Sequence, residues 1–211
     1  MDLEEAIRNR RSHRLFKNAP VEREKIDAIL DAAHWAPSPA NTQPWEFIVI
    51  RRRDARRRLF EFSEEAKRSG RIEVRGFSYV RPLPETVAEP SSEESERLAL
   101  QHYSLSFLKN VPVIIAIVGL PLTSVRSASY QETRDSYKYS CGAVIQNILL
   151  TAESLGLGSL WFTLFDQKPV RQFLRIGNSK HLVAMVLVGY AAISPPSPGR
   201  LPLKEKITWI D

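Results

Sequence analysis

The sequence is poor in several features that would fix a chemistry at once. Its 211 residues hold one cysteine, Cys141, and four histidines, His13, His34, His102 and His181. A single thiol excludes an internal disulfide framework and a cysteine-rich zinc site, and it suits a reducing, cytoplasmic setting. The histidines form no i, i+4 pair and no HExxH motif, which argues against a zinc hydrolase. No serine lies in a GxSxG elbow, and no GxxxxGK[ST] phosphate loop occurs. Long apolar runs are missing too: the longest, Val111 to Leu122, falls short of the ~20 residues of a membrane span. The first residues, MDLEEAIRNRRS, are acidic and then basic, without the apolar stretch of a signal peptide. A 43% hydrophobic and 26% charged composition with 9 glycines excludes both a disordered and a collagen-like chain.

What the chain has in quantity is arginine. Thirty Lys+Arg against 24 Asp+Glu give a net charge of +6. Such a balance fits nucleic acid, an anionic cofactor or substrate, or solubility alone. Six of the arginines, Arg51, Arg52, Arg53, Arg56, Arg57 and Arg58, crowd into eight positions, read as a loop leading into a helix. They could neutralise several phosphates. Yet no zinc finger, RRM or interleaved aromatic accompanies them, and a solvated surface helix paired with Glu61, Glu64 and Glu65 explains them as well.

Periodicity gives one domain of mixed α and β elements around a single sheet. Leu3, Ala6 and Ile7 mark one face of a short helix from Asp2 to Arg10; Ile26, Ile29, Leu30 and Ala33 mark a second, from about Val21 to Trp35. Trp45 to Ile50, Val111 to Val118, Ser159 to Leu164 and Leu182 to Tyr190 read as strands, the second and fourth apolar enough to be covered on both faces. Tyr139 to Leu155 is apolar nearly all round and predicts a central, buried helix closed by Gly156-Leu-Gly158. Shorter helices are expected near Leu98 to Leu108 and from Lys168 to Leu174. Residues 63–97 are polar and weakly periodic, as in an insertion or lid. The tail is proline-rich, and Ile207 to Ile210 suits an edge or swapped strand.

Three features suit a flat, phosphorylated aromatic cofactor that carries its own redox chemistry. Arg10-Arg11-Ser12-His13-Arg14 offers guanidinium groups and a hydroxyl for a phosphate, although a solvated basic face reads equally well. Pro37 to Trp45, PSPANTQPW, is a stiff loop able to present amides to a heterocycle, or a plain connection. Arg200 stands alone in the tail, where most arginines simply face solvent. Gly156-Leu-Gly158-Ser-Leu-Trp161 begins like a dinucleotide fingerprint, but it closes a helix and has Trp161 at the third glycine position, so a Rossmann site is disfavoured. Cys141, inside the buried helix, reads as an apolar filler.

Taken in order, "RRSHRLF", "APSPANTQPWEFIVI", "GAVIQNILLTAESLGLGSLWF" and "GYAAISPPSPGRLPL" resemble the nitroreductase family of FMN-dependent oxidoreductases. The resemblance covers residues 2–50, 110–120 and 135–205. It implies an α+β fold with a central mixed, mainly antiparallel sheet flanked by helices, and a homodimer whose core is the long buried helix. It also implies one FMN per subunit and electron transfer from NAD(P)H to a nitroaromatic, a quinone or a similar small acceptor by a ping-pong route. Matched residue by residue, Arg10, Arg11, Ser12 and Arg14 would hold the FMN phosphate, ribityl chain and pyrimidine edge. Pro37, Ser38 and Asn41, from the neighbouring subunit, would lie along the flavin, Thr163 and Leu164 against its ring, and Arg200 on its phosphate. Two departures stand out: Thr163-Leu164 replaces an acidic residue and glycine found in many members, and Pro198 replaces a lysine. A specialised relative that removes halogen from an aromatic substrate or consumes flavin is the alternative within the fold.

Overall fold

Two strands without a polar face set the layout. The computed structural model describes residues 1–73, 105–121, 135–197 and 199–210. Strand β2 (Val113–Gly119) is buried at every position, and β4 (His181–Gly189) at all but His181 and Val183. Their β-branched and aliphatic side chains suit a pleated surface packed on both sides. They pair antiparallel at the centre of a four-stranded sheet. Strand β1 (Trp45–Ile50) flanks β2 and β3 (Gly158–Phe162) flanks β4, giving the order β1-β2-β4-β3.

Strand alternation sends the two sets of side chains into separate cores. On one face Val113, Ile115, Ile117, Val186 and Val188 pack with Ile26 and Ile29 of helix α2 (Arg23–His34) and with Val144, Ile145 and Ile148 of the long central helix. On the other, Ile114, Ala116, Met185 and Leu187 meet Leu59 of helix α3 (Arg53–Arg68). Leu108 of α4 (Phe107–Asn110) completes that second core. Each such side chain withdrawn from water contributes about 1.5–3 kcal/mol, so the two layers hold the sheet from both sides. The long helix is α5 (Tyr137–Ser154); Asn147 Nδ2 donates to the Ala32 carbonyl of α2 at 2.9 Å and fixes the two helices against each other. At its end Gly156, at φ +73°, lets its N–H reach the Glu153 carbonyl (3.0 Å) and the Leu157 N–H reach the Ala152 carbonyl (2.8 Å). This closure turns the chain directly into β3. Helix α6 (Gln167–Phe173) follows, its first turn capped by Asp166, which accepts from the Lys168 N–H. At the other end of the chain, helix α1 (Leu3–Asn9) opens on a capping box between Asp2 and Glu5.

The structure corrects several expectations. All three strand pairings are antiparallel rather than mixed; the parallel contribution among the described residues is one bridge, Ser12 to Ser159. The arginine run is mostly helix, because α3 starts at Arg53, and its first arginines lie toward solvent while Leu59 and Ala66 face the core. Of the expected insertion, residues 63–68 continue α3, whereas 74–97 lie outside the described residues, as does most of the helix expected from Leu98. Ile207 to Ile210 pairs with no strand of its own chain among the described residues, so it is not an edge strand there; Trp209 and Ile210 are 81% and 95% exposed. Leu3 and Ile7 are exposed as well, so on the apolar face of α1 only Ala6 is covered. Among the described residues no helix is long and apolar enough to cross a membrane.

Gly156→Ala tests the helix closure. An added Cβ would meet nothing within 4 Å, so the loss is one of backbone conformation alone, about 1–2 kcal/mol. Equilibrium urea unfolding should show a lower midpoint with an unchanged slope.

Candidate functional site

The free edge of β3 is where the two ends of the chain meet. Residues 12–17 leave α1 and run along it: Ser12 bridges Ser159, and the His13 N–H donates to the Ser159 carbonyl at 2.9 Å. The segment then crosses to the continuation of β4, where the Ala192 N–H reaches the Leu15 carbonyl (2.9 Å) and the Lys17 N–H the Tyr190 carbonyl (2.8 Å). Gly158 is needed for this approach, since a Cβ there would lie 2.8 Å from His13 Cγ. Sequence reasoning used Gly158 only as a helix stop; a glycine opening an apolar strand is also a signal for close backbone approach.

This crossing gathers positive charge without a counter-ion. Arg10, Arg11 and Arg14 are half-buried, and Arg200 of the tail is exposed. None of the four forms an ion pair among the described residues. Arg11 donates to the carbonyls of Arg8 (2.6 Å) and Arg10 (3.0 Å), Arg14 to that of Ser12 (3.3 Å) and Arg200 to that of Gly199 (2.6 Å). Burial, and after it the charges of Arg200 and Arg11, holds the Arg10 guanidinium below its ordinary pKa, with Glu153 of α5 acting in the opposite direction. Burial alone does the same to Arg14. Other arginines are ion-paired, Arg52 with Asp54 at 2.5 Å, Arg58 with Glu61 at 2.8 Å and Arg71 with Asp166 at 2.7 Å, whereas Arg56, half-buried on α3, bonds singly to the Val111 carbonyl and stands apart from the cluster. A set of cations that feel one another's charge, three of them half-buried and none ion-paired among the described residues, suits an anion from outside. Ser159, across from Ser12, adds a buried hydroxyl with no hydrogen-bond partner among the described residues.

The remaining predicted positions fall in two other places. Thr163 and Leu164 follow β3 directly, Thr163 exposed and Leu164 half-buried against the second core. Four residues of strand separate them from Ser159, or roughly 13 Å. Pro37, Ser38 and Asn41 lie before β1, at the opposite edge of the sheet. Three strand spacings, about 14 Å, separate the two edges of the sheet. That loop is strained and internally braced: Ala40, Asn41 and Gln43 all have positive φ, and Ser38 Oγ accepts the Gln43 N–H at 2.9 Å. Non-glycine residues in this region cost about 1–3 kcal/mol each and concentrate at functional sites. Cys141 is inert, its thiol pushed up to about 12 by burial.

An anion cradle at a sheet edge, in which no serine hydroxyl is hydrogen-bonded to His13 among the described residues, suits an oxidoreductase of the flavoprotein class. Comparison with known proteins gives the family: the model of the nitroreductase family matches residues 7–190, and the chain belongs to that family. It is 29% identical over 217 residues to 4-nitrobenzoate reductase of a Nocardioides species, covering 95% of this chain and 85% of that one. It is 28% identical over 211 residues to the NADH dehydrogenase of Thermus thermophilus, covering 99% and 96%. A solved BluB-like flavoprotein from Clostridium difficile superposes over the whole of both chains with a TM-score of 0.74 at 27% identity.

His13 was not singled out by its sequence neighbourhood, yet it is buried at the centre of the cluster. Its pKa lies below the ordinary 6.5, chiefly through burial; the Ile193 carbonyl and Glu153 oppose this, and Arg10 and Arg11 reinforce it. The folded protein therefore favours the neutral ring. As pH falls through 6.5 the unfolded chain takes up the proton first, so stability drops. Urea titrations between pH 7.5 and 5.5 should show this loss in the wild-type protein and a flatter profile in His13→Asn.

Proposed function

We propose that the protein is an FMN-dependent oxidoreductase that carries electrons from NAD(P)H to a nitroaromatic, a quinone or a similar small organic acceptor, and that it works as a homodimer. The observation that carries this reading is the set of four arginines with no carboxylate partner at the β3 edge. A phosphate near charge −2 supplies the missing counter-charge and accepts bidentate hydrogen bonds from guanidinium groups. Arg10, Arg11, Arg14 and Arg200, with the Ser12 hydroxyl, are the phosphate and ribityl ligands. A guanidinium of the same segment also suits a ring carbonyl on which negative charge grows. Thr163 and Leu164 flank the ring, where their size and lack of charge shape the space left for the acceptor.

When bound, FMN supplies reversible two-electron chemistry, which removes the need for a side-chain acid, base or nucleophile. The chain's own work is to hold the phosphate, orient the ring along β3 and keep a single open face that donor and acceptor occupy in turn. That sequence of occupation is ping-pong.

The homodimer follows from what one chain leaves open. Pro37, Ser38 and Asn41 precede the strand at the opposite edge of the sheet from the arginines, and in this reading a second copy brings its own Pro37, Ser38 and Asn41 to the flavin. Apolar residues exposed on α1, on α5 at Tyr139 (80% exposed) and in the tail at Trp209 offer the surface for it. Large apolar side chains exposed in this number are available for an interface to cover.

The test is the visible spectrum. The purified protein should be yellow, or should bind FMN at one per chain with a shifted absorption band; a colourless preparation without spectral response to FMN overturns the reading. Arg14→Ala should weaken FMN binding about 10- to 100-fold, since it removes charge-assisted hydrogen bonds from a desolvated position. Deleting residues 201–211 should shift the dimer toward monomer in sedimentation velocity.

A further inference from the structure

We infer that His13 is a positioning residue: its imidazole ties the C-terminal tail, which carries Arg200, to the arginine segment. Among the described residues, regular pairing of the tail ends at Ala192, whose N–H reaches the Leu15 carbonyl. The next and last hydrogen bond from the body of the protein to the tail before Arg200 is from His13 Nδ1 to the Ile193 carbonyl, at 3.1 Å. Since a carbonyl only accepts, Nδ1 carries the proton, and the neutral ring is the Nδ1–H tautomer. The ring is lodged where it cannot shift without moving the backbone around it. Gly158 leaves room for it on β3, and Ala191 closes the same space, its Cβ 3.0 Å from where a Gly158 Cβ would stand.

One side chain thus touches the strand, the tail and its own arginine segment. Arg200 follows Ile193 by seven residues, and its charge reaches Arg10. Two like charges do not approach each other unaided, and a freed tail would swing Arg200 away into water. The His13 bond sets the start and heading of the tail, so Arg200 stays in the cluster before any anion arrives. Preorganisation of this kind raises affinity by removing an ordering cost from the binding step.

The inference rests on the proposed flavin site only for its ligand readout, and the experiment separates the two. FMN affinity is measured by fluorescence quenching for wild type, His13→Leu, His13→Asn, Arg200→Ala and the double variant His13→Leu/Arg200→Ala. Backbone hydrogen exchange of residues 191–201 is followed in the flavin-free proteins. His13→Leu should weaken FMN binding about five- to tenfold, the size of one lost buried hydrogen bond, and should speed exchange in 191–201. His13→Asn, whose amide nitrogen sits at the Nδ1 position, should restore most of both. In the double variant the His13→Leu effect should largely vanish, because Arg200 is the group it acts through. Additive losses, or weaker binding with unchanged exchange in 191–201, overturn the inference. If His13→Leu does not fold, His13→Gln displaces the donor while keeping the polarity, and the same outcomes are read from it. If wild type fails to bind FMN, the flavin reading falls, and the tether is judged on exchange alone: unchanged protection of 191–201 in the variant overturns it.

Discussion

The antiparallel pairing of β2 with β4 is the constraint from which the rest of the molecule follows. Every residue of β2 is buried, so the pair survives only if both faces of the sheet are covered. Helices α2 and α5 cover one face, and α3, α4 and α6 the other. This sandwich leaves only the sheet edges free, and both edges carry chemistry. At the β1 edge sits the strained Pro37 to Pro44 loop; at the β3 edge the N-terminal segment crosses toward the tail. Central strands, having no exposed face, have no room for a site.

Charge is distributed by the same logic. Most arginines on α3 and before it face water, several beside acidic neighbours, as with Arg52 and Asp54 or Arg58 and Glu61, while Arg56 turns in to the Val111 carbonyl. Exposed pairs like these contribute little to stability, typically under 1 kcal/mol, and impose nothing on a ligand. At the β3 edge Arg10, Arg11 and Arg14 are half-buried and close in sequence, and Arg11 and Arg14 bond to carbonyls. Coulomb repulsion there opposes folding and favours anion binding, which is a property of placement rather than of composition. Glu153 is close enough to be felt by Arg10 and His13, and it moderates the repulsion without forming an ion pair with either.

Local signals were legible wherever a local rule acts. Trp45 to Ile50 was readable residue for residue, because alternation and the preceding prolines bound it on one side and the arginines on the other. The all-apolar helix, the glycine that ends it and the proline-stiffened loop were equally clear. Residues whose role depends on a distant partner were not. Leu3 and Ile7 have helical spacing but no cover within the chain, so periodicity marked a face without saying what meets it. Ile207 to Ile210 has strand composition, yet a strand needs a neighbouring edge, and none among the described residues receives it. Ser159 and Gly158 look like ordinary strand residues until Ser12 and His13 lie against them.

The sequence by itself determined the element types, the buried strands and central helix, the absence of metal-hydrolase and phosphate-loop motifs, and the ordered motifs that resemble the nitroreductase family. These depend on spacing along the chain, which the amino-acid order contains directly. Only the tertiary structure decided which arginines stand without an ion pair among the described residues, that the charge of Arg200 is felt by Arg10, and that His13 joins the N-terminal segment to the tail. Those are long-range contacts at an edge that exists only once β2 and β4 have paired, and no local pattern encodes them.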